Sequence, residues 1–279
     1  MQHDIENEEF GGERPLFGRR HVNLKNVNFL PGESALKCTA DIVAEHCTFN
    51  GKYPFWHTDG FRIADSTFYA GARAALWYSR NCVMTNCMVH APKMFRELDG
   101  IELRNCHFDN AEETLWHCAN ILAVDCSVEH ADYLLMHSRN IRLQNWRQQG
   151  NYSFQYCTNV EIRNAHIDSK DAFWATEGVT VYDSELDGEY LGWHSRRLHL
   201  VRCKISGTQP LCYCRDLVLE DCEFAADCDL AFEDSEVSGN VLTPITSVKN
   251  PIKFNLTCPE IGQIIKDEHS KADKEGSTL

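Results

Sequence analysis

Along most of the chain, apolar residues alternate with polar ones for four or five positions, miss a beat, and then resume. In the stretch "IELRNCHF", Ile101, Leu103, Cys106 and Phe108 are apolar, while Glu102 and Arg104 alternate with the first two. Alternation of period two is the mark of a strand with one buried face. Asn105 then shifts the inward set by one residue. Such a phase shift needs a bend, and Asn or Asp tolerates the left-handed backbone that a bend uses. The pattern predicts two short strands joined by a corner.

The same unit recurs. Aligned on the short apolar-x-apolar run, copies start at Val22, Ile42, Phe61, Cys82, Ile101, Ile121, Ile141, Val160, Val179, Leu198 and Leu217, always 19 to 21 residues apart, with a shortened copy near Leu230. The corner position reads Asn26, His46, Asp65, Asn86, Asn105, Asp125, Asn145, Asn164, Asp183 and Asp221, with Arg202 as the outlier. The position after it is small in most copies, and often Cys: Cys47, Cys87, Cys106, Cys126, Cys203 and Cys222. Six residues before each start stands an apolar anchor, Leu36, Phe55, Leu76, Phe95, Leu115, Leu135, Phe154, Phe173 or Leu211, with Gly192 the one gap. No helical period of 3.6 runs through the copies. A chain that repeats strands at a fixed interval buries its apolar face by coiling, so that each strand pairs with its equivalent one turn on. The fold expected is all-β: a single-stranded, right-handed parallel β-helix of about 11–12 rungs with capped ends, its equivalent residues stacked about 4.8 Å apart. Residues 1–21 are expected to form an N-terminal cap, 22–239 the β-helix, 240–265 a C-terminal cap and 266–279 a disordered polar tail.

The rung apolar-x-apolar-x-(Asn/Asp)-small-x-apolar resembles that of the pectin-lyase-like superfamily of right-handed β-helices. The stretches "GERPLFG" and "GESALK", the latter Gly32 to Lys37, together with "ITSVKNPI" and "IGQII", are similar to an uncharacterised bacterial family of cytosolic β-helix proteins. The resemblance implies a fold and assigns no activity. "HTDGF", His57 to Phe61, is similar to the Asn-Thr-Asp-Gly signature of polygalacturonases, but the other three motifs of that family are absent, and Asp-Gly recurs in "LDGIEL". It reads as corner chemistry.

Charge and cysteine content narrow the partners. With 27 Lys and Arg against 41 Asp and Glu, the formal charge is −14, which disfavours a nucleic-acid backbone. The N-terminal "MQHDIENEEFGGERPLFGRR" lacks the apolar core of a signal peptide, and no apolar run approaches a membrane span. Fourteen Cys without such a signal imply free thiols in a reducing, cytoplasmic compartment, most of them serving as small buried hydrophobes. No cofactor is expected, since neither a Walker loop nor a Gly-x-Gly-x-x-Gly fingerprint occurs. No metal is expected either, because the paired Cys-x-x-Cys spacing of a zinc site is missing.

In a solenoid, function lies on the surface columns. Five residues before each start, an indole column reads Lys37, Trp56, Trp77, Arg96, Trp116, Met136, Gln155, Trp174, Trp193 and Cys212. One residue on, a ring column reads Cys38, His57, Tyr78, Glu97, His117, His137, Tyr156, Ala175, His194 and Tyr213. Strict alternation from the buried anchor turns the indoles outward and the rings inward; a corner at that point reverses this. An exposed Trp row is a platform for sugar faces, an exposed His/Tyr/Glu row is acid–base equipment, and a third arrangement packs both into a wide interior corner. Titratable groups are densest around Glu97, His117 and His137, the candidate acid and base, with Arg96, Lys93, Glu113, Tyr133, Trp77 and Trp116 as the candidate substrate-binding shell. The expected partner is an oligosaccharide or sugar acid, handled by lyase, hydrolase or isomerase chemistry. The alternative is a non-catalytic carbohydrate-binding or assembly scaffold. Neither a membrane nor a nucleic acid is expected as partner, and the sequence leaves the oligomeric state open.

Overall fold

The structure is a computed structural model that describes residues 3–271. It contains two compact units, residues 1–141 and 142–279. Each is a coil of parallel strands. Among the described residues the helical structure is one 3-10 turn, Ala70–Ala72, and no helix is long and apolar enough to cross a membrane.

In the first unit the long strands Arg20–Lys25, Ala40–Glu45, Asp59–Ala64, Arg80–Thr85, Asp99–Arg104 and Ala119–Val124 pair in parallel, one turn to the next. The register joins Val22 to Ile42, Ile42 to Phe61, Phe61 to Cys82, Cys82 to Ile101 and Ile101 to Ile121. These are the repeat starts read from the sequence. A second ladder of two-residue strands, from Thr48–Phe49 to Ser127–Val128, follows each corner. The second unit repeats the plan, with Val160 on Val179, Val179 on Leu198 and Leu217 on Val237. The last pairing corrects the shortened copy. The next rung starts at Val237, with Phe232 as its buried anchor, and Leu230 lies in a left-handed corner.

Each rung is held by its columns. The corner residues have positive φ, from 53° at Asn26 to 49° at Asn105 and 56° at Asp125. Their amides bond along the coil: Asn86 Nδ2 donates to Asp65 Oδ1 at 3.0 Å, and Asn105 Nδ2 to Asn86 Oδ1 at 2.9 Å. At the outlier the same link is made by charge, because Arg202 meets Asp183 through two hydrogen bonds of 2.6 and 2.9 Å. Inside, Phe29, Phe49 and Phe68 stack at 5.1 and 4.6 Å, and the anchors Leu36 to Leu135 are fully buried. The gap in the anchor column is filled from both sides. A Cβ on Gly192 would stand 3.0 Å from Leu198 Cδ2 and from Leu211 Cδ2, so those leucines already occupy the space. Twelve of the fourteen cysteines are buried, none forms a disulfide, and Cys38 is exposed.

In the stretches expected to cap the ends, the strand ladders continue. His3–Glu6 pairs with Arg20–Lys25, and Glu9–Glu13 with Asn28–Glu33. Their outward positions are polar because an end rung has solvent where others have a neighbour. Within 240–265, Ile245–Lys249 pairs with Ile261–Ile265, and Lys253–Thr257 with Glu236–Val241. The first residues of the expected tail contact Asn250. The Asp267 carboxylate accepts from Asn250 Nδ2 at 2.7 Å, and its backbone N–H donates to Asn250 Oδ1 at 3.1 Å. The rest of the tail, 272–279, lies outside the described residues.

Candidate functional site

The anchor, the indole column and the ring column occupy three successive residues, and the backbone decides which way each points. His57, Tyr78, Glu97, His117 and His137 all have φ between 50° and 56°. A left-handed residue breaks the strand alternation, so two neighbours in sequence both face outward. Leu115 is buried, Trp116 half-buried and His117 exposed, and Cys118 returns to the interior. The two columns are therefore on the surface together, and neither fills an interior corner. Thr58 in "HTDGF" follows suit: it is buried, its hydroxyl donates to the Leu36 carbonyl at 3.0 Å, and Asp59 pairs with Arg80 at 3.0 Å. The stretch is a corner.

The indole column is closed on itself. Trp77, Arg96 and Trp116 are in direct parallel register. The Arg96 guanidinium lies 4.3 Å from the Trp77 ring and 4.7 Å from that of Trp116. Each indole is pinned as well, Trp77 Nε1 donating to the Lys93 carbonyl at 2.8 Å and Trp116 Nε1 to that of Tyr133. Glu113 bonds Lys93 Nζ at 3.0 Å and reaches Arg96 Nη2 at 3.5 Å. Arg96 Nε is buried and finds no acceptor among the described residues, so the flanking indole faces are what offset its burial. Arg96, Lys93, Glu113, Tyr133, Trp77 and Trp116 do come together, but as a clamp whose groups already serve one another.

The ring column is open. His117 and His137 stack face to face at 4.8 Å with planes 1° apart. Burial, and then the neighbouring His117, lower the pKa of His137. Two stacked imidazoles resist holding two protons, which is why the neighbour acts in the same direction as burial. Glu97 and His117 line an open depression of about 380 Å³ together with Leu98, Asp99, Ala119 and Arg139. Asp99 and Arg139 come from the column two residues before each start: Asp59, Arg80, Asp99, Ala119, Arg139. Ala119 is a small member, as Ala40 is earlier in the column, and the hollow lies where the Ala119 side chain stops short. Among the described residues no group of three side chains is placed to hold a metal ion.

The second unit carries a parallel arrangement. Trp174 and Trp193 lie 5.5 Å apart, His194 stacks on Tyr213 at 4.8 Å, and Trp193 Nε1 donates to the Gln209 carbonyl at 2.7 Å. Burial, then the Arg215 charge, lower the pKa of His194. No carboxylate stands in this part of the ring column.

A family model described as protein of unknown function (DUF3737) matches residues 3–278. The chain belongs to the DUF3737 family. None of the curated proteins matches it in sequence. Among solved structures, the DUF3737 chain is similar to PfbA, a surface adhesin of Streptococcus pneumoniae, at 8% identity and TM-score 0.46, over 95% of this chain and 85% of that one. It is also similar to QnrB1, a plasmid-mediated fluoroquinolone resistance protein, at 13% identity and TM-score 0.32, over 71% of this chain and 92% of that one. The periplasmic alginate epimerase AlgG follows at 9% identity and TM-score 0.28, over 95% and 74% of the two chains.

Of the expected catalytic set in the DUF3737 chain, Glu97 and His117 share the depression, and His137 stacks behind His117. Asp99 and Arg139 went unread in the sequence. The signal was present in the adjacent column, where an Ala interrupts a run of charged residues.

Proposed function

We propose that the protein is a carbohydrate-active enzyme that moves a proton on an oligosaccharide or sugar acid, with Glu97 and His117 as base and acid. The observation that carries this reading is the exposure of Glu97 and His117 in one depression, which Arg139 also lines. Burial and then His117 favour the neutral form of His137, which backs the His117 ring with an uncharged face. Arg139 anchors an anionic group of the ligand, while Arg96, expected in the substrate-binding shell, is held between two indoles. The depression offers its groups from one side only. Hydrolysis commonly needs carboxyl groups flanking a linkage, whereas elimination or epimerisation can proceed from a single face. The geometry therefore favours lyase or isomerase chemistry over hydrolysis. The coil is assigned to the pectin-lyase-like group on its rung pattern, and the buried free thiols fit a reducing, cytoplasmic setting.

The test is incubation with a panel of oligosaccharides and sugar acids in deuterated water, read by mass spectrometry. Deuterium uptake at carbon, or a new double bond, is the expected result. Glu97→Gln and His117→Ala should abolish it while leaving the melting temperature near wild type, because surface groups usually change stability by under about 0.5 kcal/mol. Turnover that survives both substitutions refutes the assignment. Heavy destabilisation by both supports the second reading, a non-catalytic carbohydrate-binding or assembly scaffold. That reading draws on the self-satisfied clamp around Arg96.

A further inference from the structure

Between His57 and His137 the ring column is interrupted at one rung, and the interruption has a definite size. Where two rings stand on adjacent rungs they stack: His57 on Tyr78 at 5.3 Å and 19°, His117 on His137 at 4.8 Å and 1°. Between Tyr78 and His117 stands Glu97, which carries no ring. The register is unbroken there, since Tyr78 N–H donates to the Arg96 carbonyl at 2.8 Å and Glu97 N–H to that of Trp116 at 2.9 Å. Tyr78 and His117 are thus two rungs apart, about 9.6 Å. A flat group midway between them would lie about 4.8 Å from each, which matches the spacing of the histidine pair.

The neighbouring column shows that a flat group fits at this level. There the rung is filled by the Arg96 guanidinium, 4.3 and 4.7 Å from its two indoles. The protein supplies its own planar filler in one column and a carboxylate in the next.

We propose that the rung of Glu97 receives one pyranose ring of the ligand, stacked between Tyr78 and His117 with a hydroxyl donating to the Glu97 carboxylate. This rests on the functional reading above and specifies how the sugar sits. Tyr78 and His117 are both exposed and offer ring faces, which suit the C–H faces of a sugar. Glu97 and Asp99 disfavour a charged acid on the stacked sugar itself. A carboxylate on the ligand therefore belongs to the next unit, toward Arg139. The stacked unit is a neutral hexose, and Tyr78 becomes a specificity residue.

The experiment uses the full chain, with methyl hexopyranosides as probes and the His imidazole signals in NMR as readout, beside the turnover assay. A neutral glycoside should shift His117, and Tyr78→Ala should weaken binding about tenfold, with Tyr78→Phe retaining it. Glu97→His completes the ring column with a residue that already stands left-handed at positions 57, 117 and 137. It should fold and block the glycoside. Glu97→Gln leaves the rung open and should bind the glycoside while losing turnover. If Glu97→His or Tyr78→Ala binds as wild type while turnover still requires Glu97, the stacking is wrong and the functional reading stands. A phenyl probe that binds where no glycoside does overturns the sugar assignment. A wild-type protein that turns over no carbohydrate overturns the function, and this inference with it.

Discussion

Replacing Arg96 by Ala separates two roles the same residue was first open to. As a clamp, the guanidinium contributes two cation–π contacts, at 4.3 Å to Trp77 and 4.7 Å to Trp116. Such contacts are worth about 0.5–1 kcal/mol when exposed and about 2 kcal/mol when desolvated. Arg96 lies between those limits, which puts the pair near 2 kcal/mol. The 3.5 Å link to Glu113 adds little, because Lys93 holds the same carboxylate at 3.0 Å and half-exposed ion pairs contribute under about 1 kcal/mol. A loss of about 2–3 kcal/mol is expected, or roughly 4–10 °C in melting temperature for a chain of this size. Arg96→Lys keeps the charge but not the flat stack, and should fall between wild type and Arg96→Ala. Urea midpoints compared at constant slope provide the measurement. A double-mutant cycle with Trp116→Leu should return a coupling of about 1 kcal/mol. If Arg96→Ala melts within about 0.5 kcal/mol of wild type, the clamp contributes no stability and Arg96 is free to bind substrate.

Two further outcomes follow from particular positions. Burial and His117 hold the His137 pKa below the ordinary imidazole value, so the folded chain binds fewer protons there than the unfolded one. The associated stability is present above about pH 6.5 and is lost as pH falls through the depressed value. His137→Asn should therefore lose less melting temperature than wild type between pH 7.5 and pH 5, and parallel curves would contradict the coupling. At Gly239, with φ 113°, an added Cβ would stand 1.8 Å from the Leu219 carbonyl oxygen. Gly239→Ala should cost about 2 kcal/mol or more and speed hydrogen exchange in the Glu236–Val241 and Lys253–Thr257 strands; unchanged protection would refute the close approach.

The coil was legible because stacking in register imposes one environment on each column. A left-handed corner selects Asn or Asp at most turns, and a tight interior next to it selects Cys, Ser or Ala in most copies. Column homogeneity is thus a consequence of geometry, and it could be read without coordinates. The facing of the indole and ring columns was not legible, for the same physical reason. One rung holds left-handed residues at Glu113, Leu115, His117, Asn120 and Asp125. Only the last two are types that favour that backbone. At His117 the conformation is imposed by the ladder, where its N–H must meet the Met136 carbonyl at 2.9 Å. Tertiary hydrogen bonding overrides local preference there, and no propensity reveals it.

The same logic supports the proposed site. Where stacking makes a column uniform, a break in it costs the packing that uniformity gives, and so marks a place under another demand. Three columns break within a short stretch of the coil: Arg96 among tryptophans, Glu97 among rings and Ala119 among charged residues. The first break is repaired internally, by the stack on Trp77 and Trp116 and the bond to Glu113. The other two are not. Glu97 leaves a ring-sized interval above a carboxylate, and Ala119 leaves a hollow between Asp99 and Arg139. Two unrepaired breaks side by side are the place where the proposed ligand would sit.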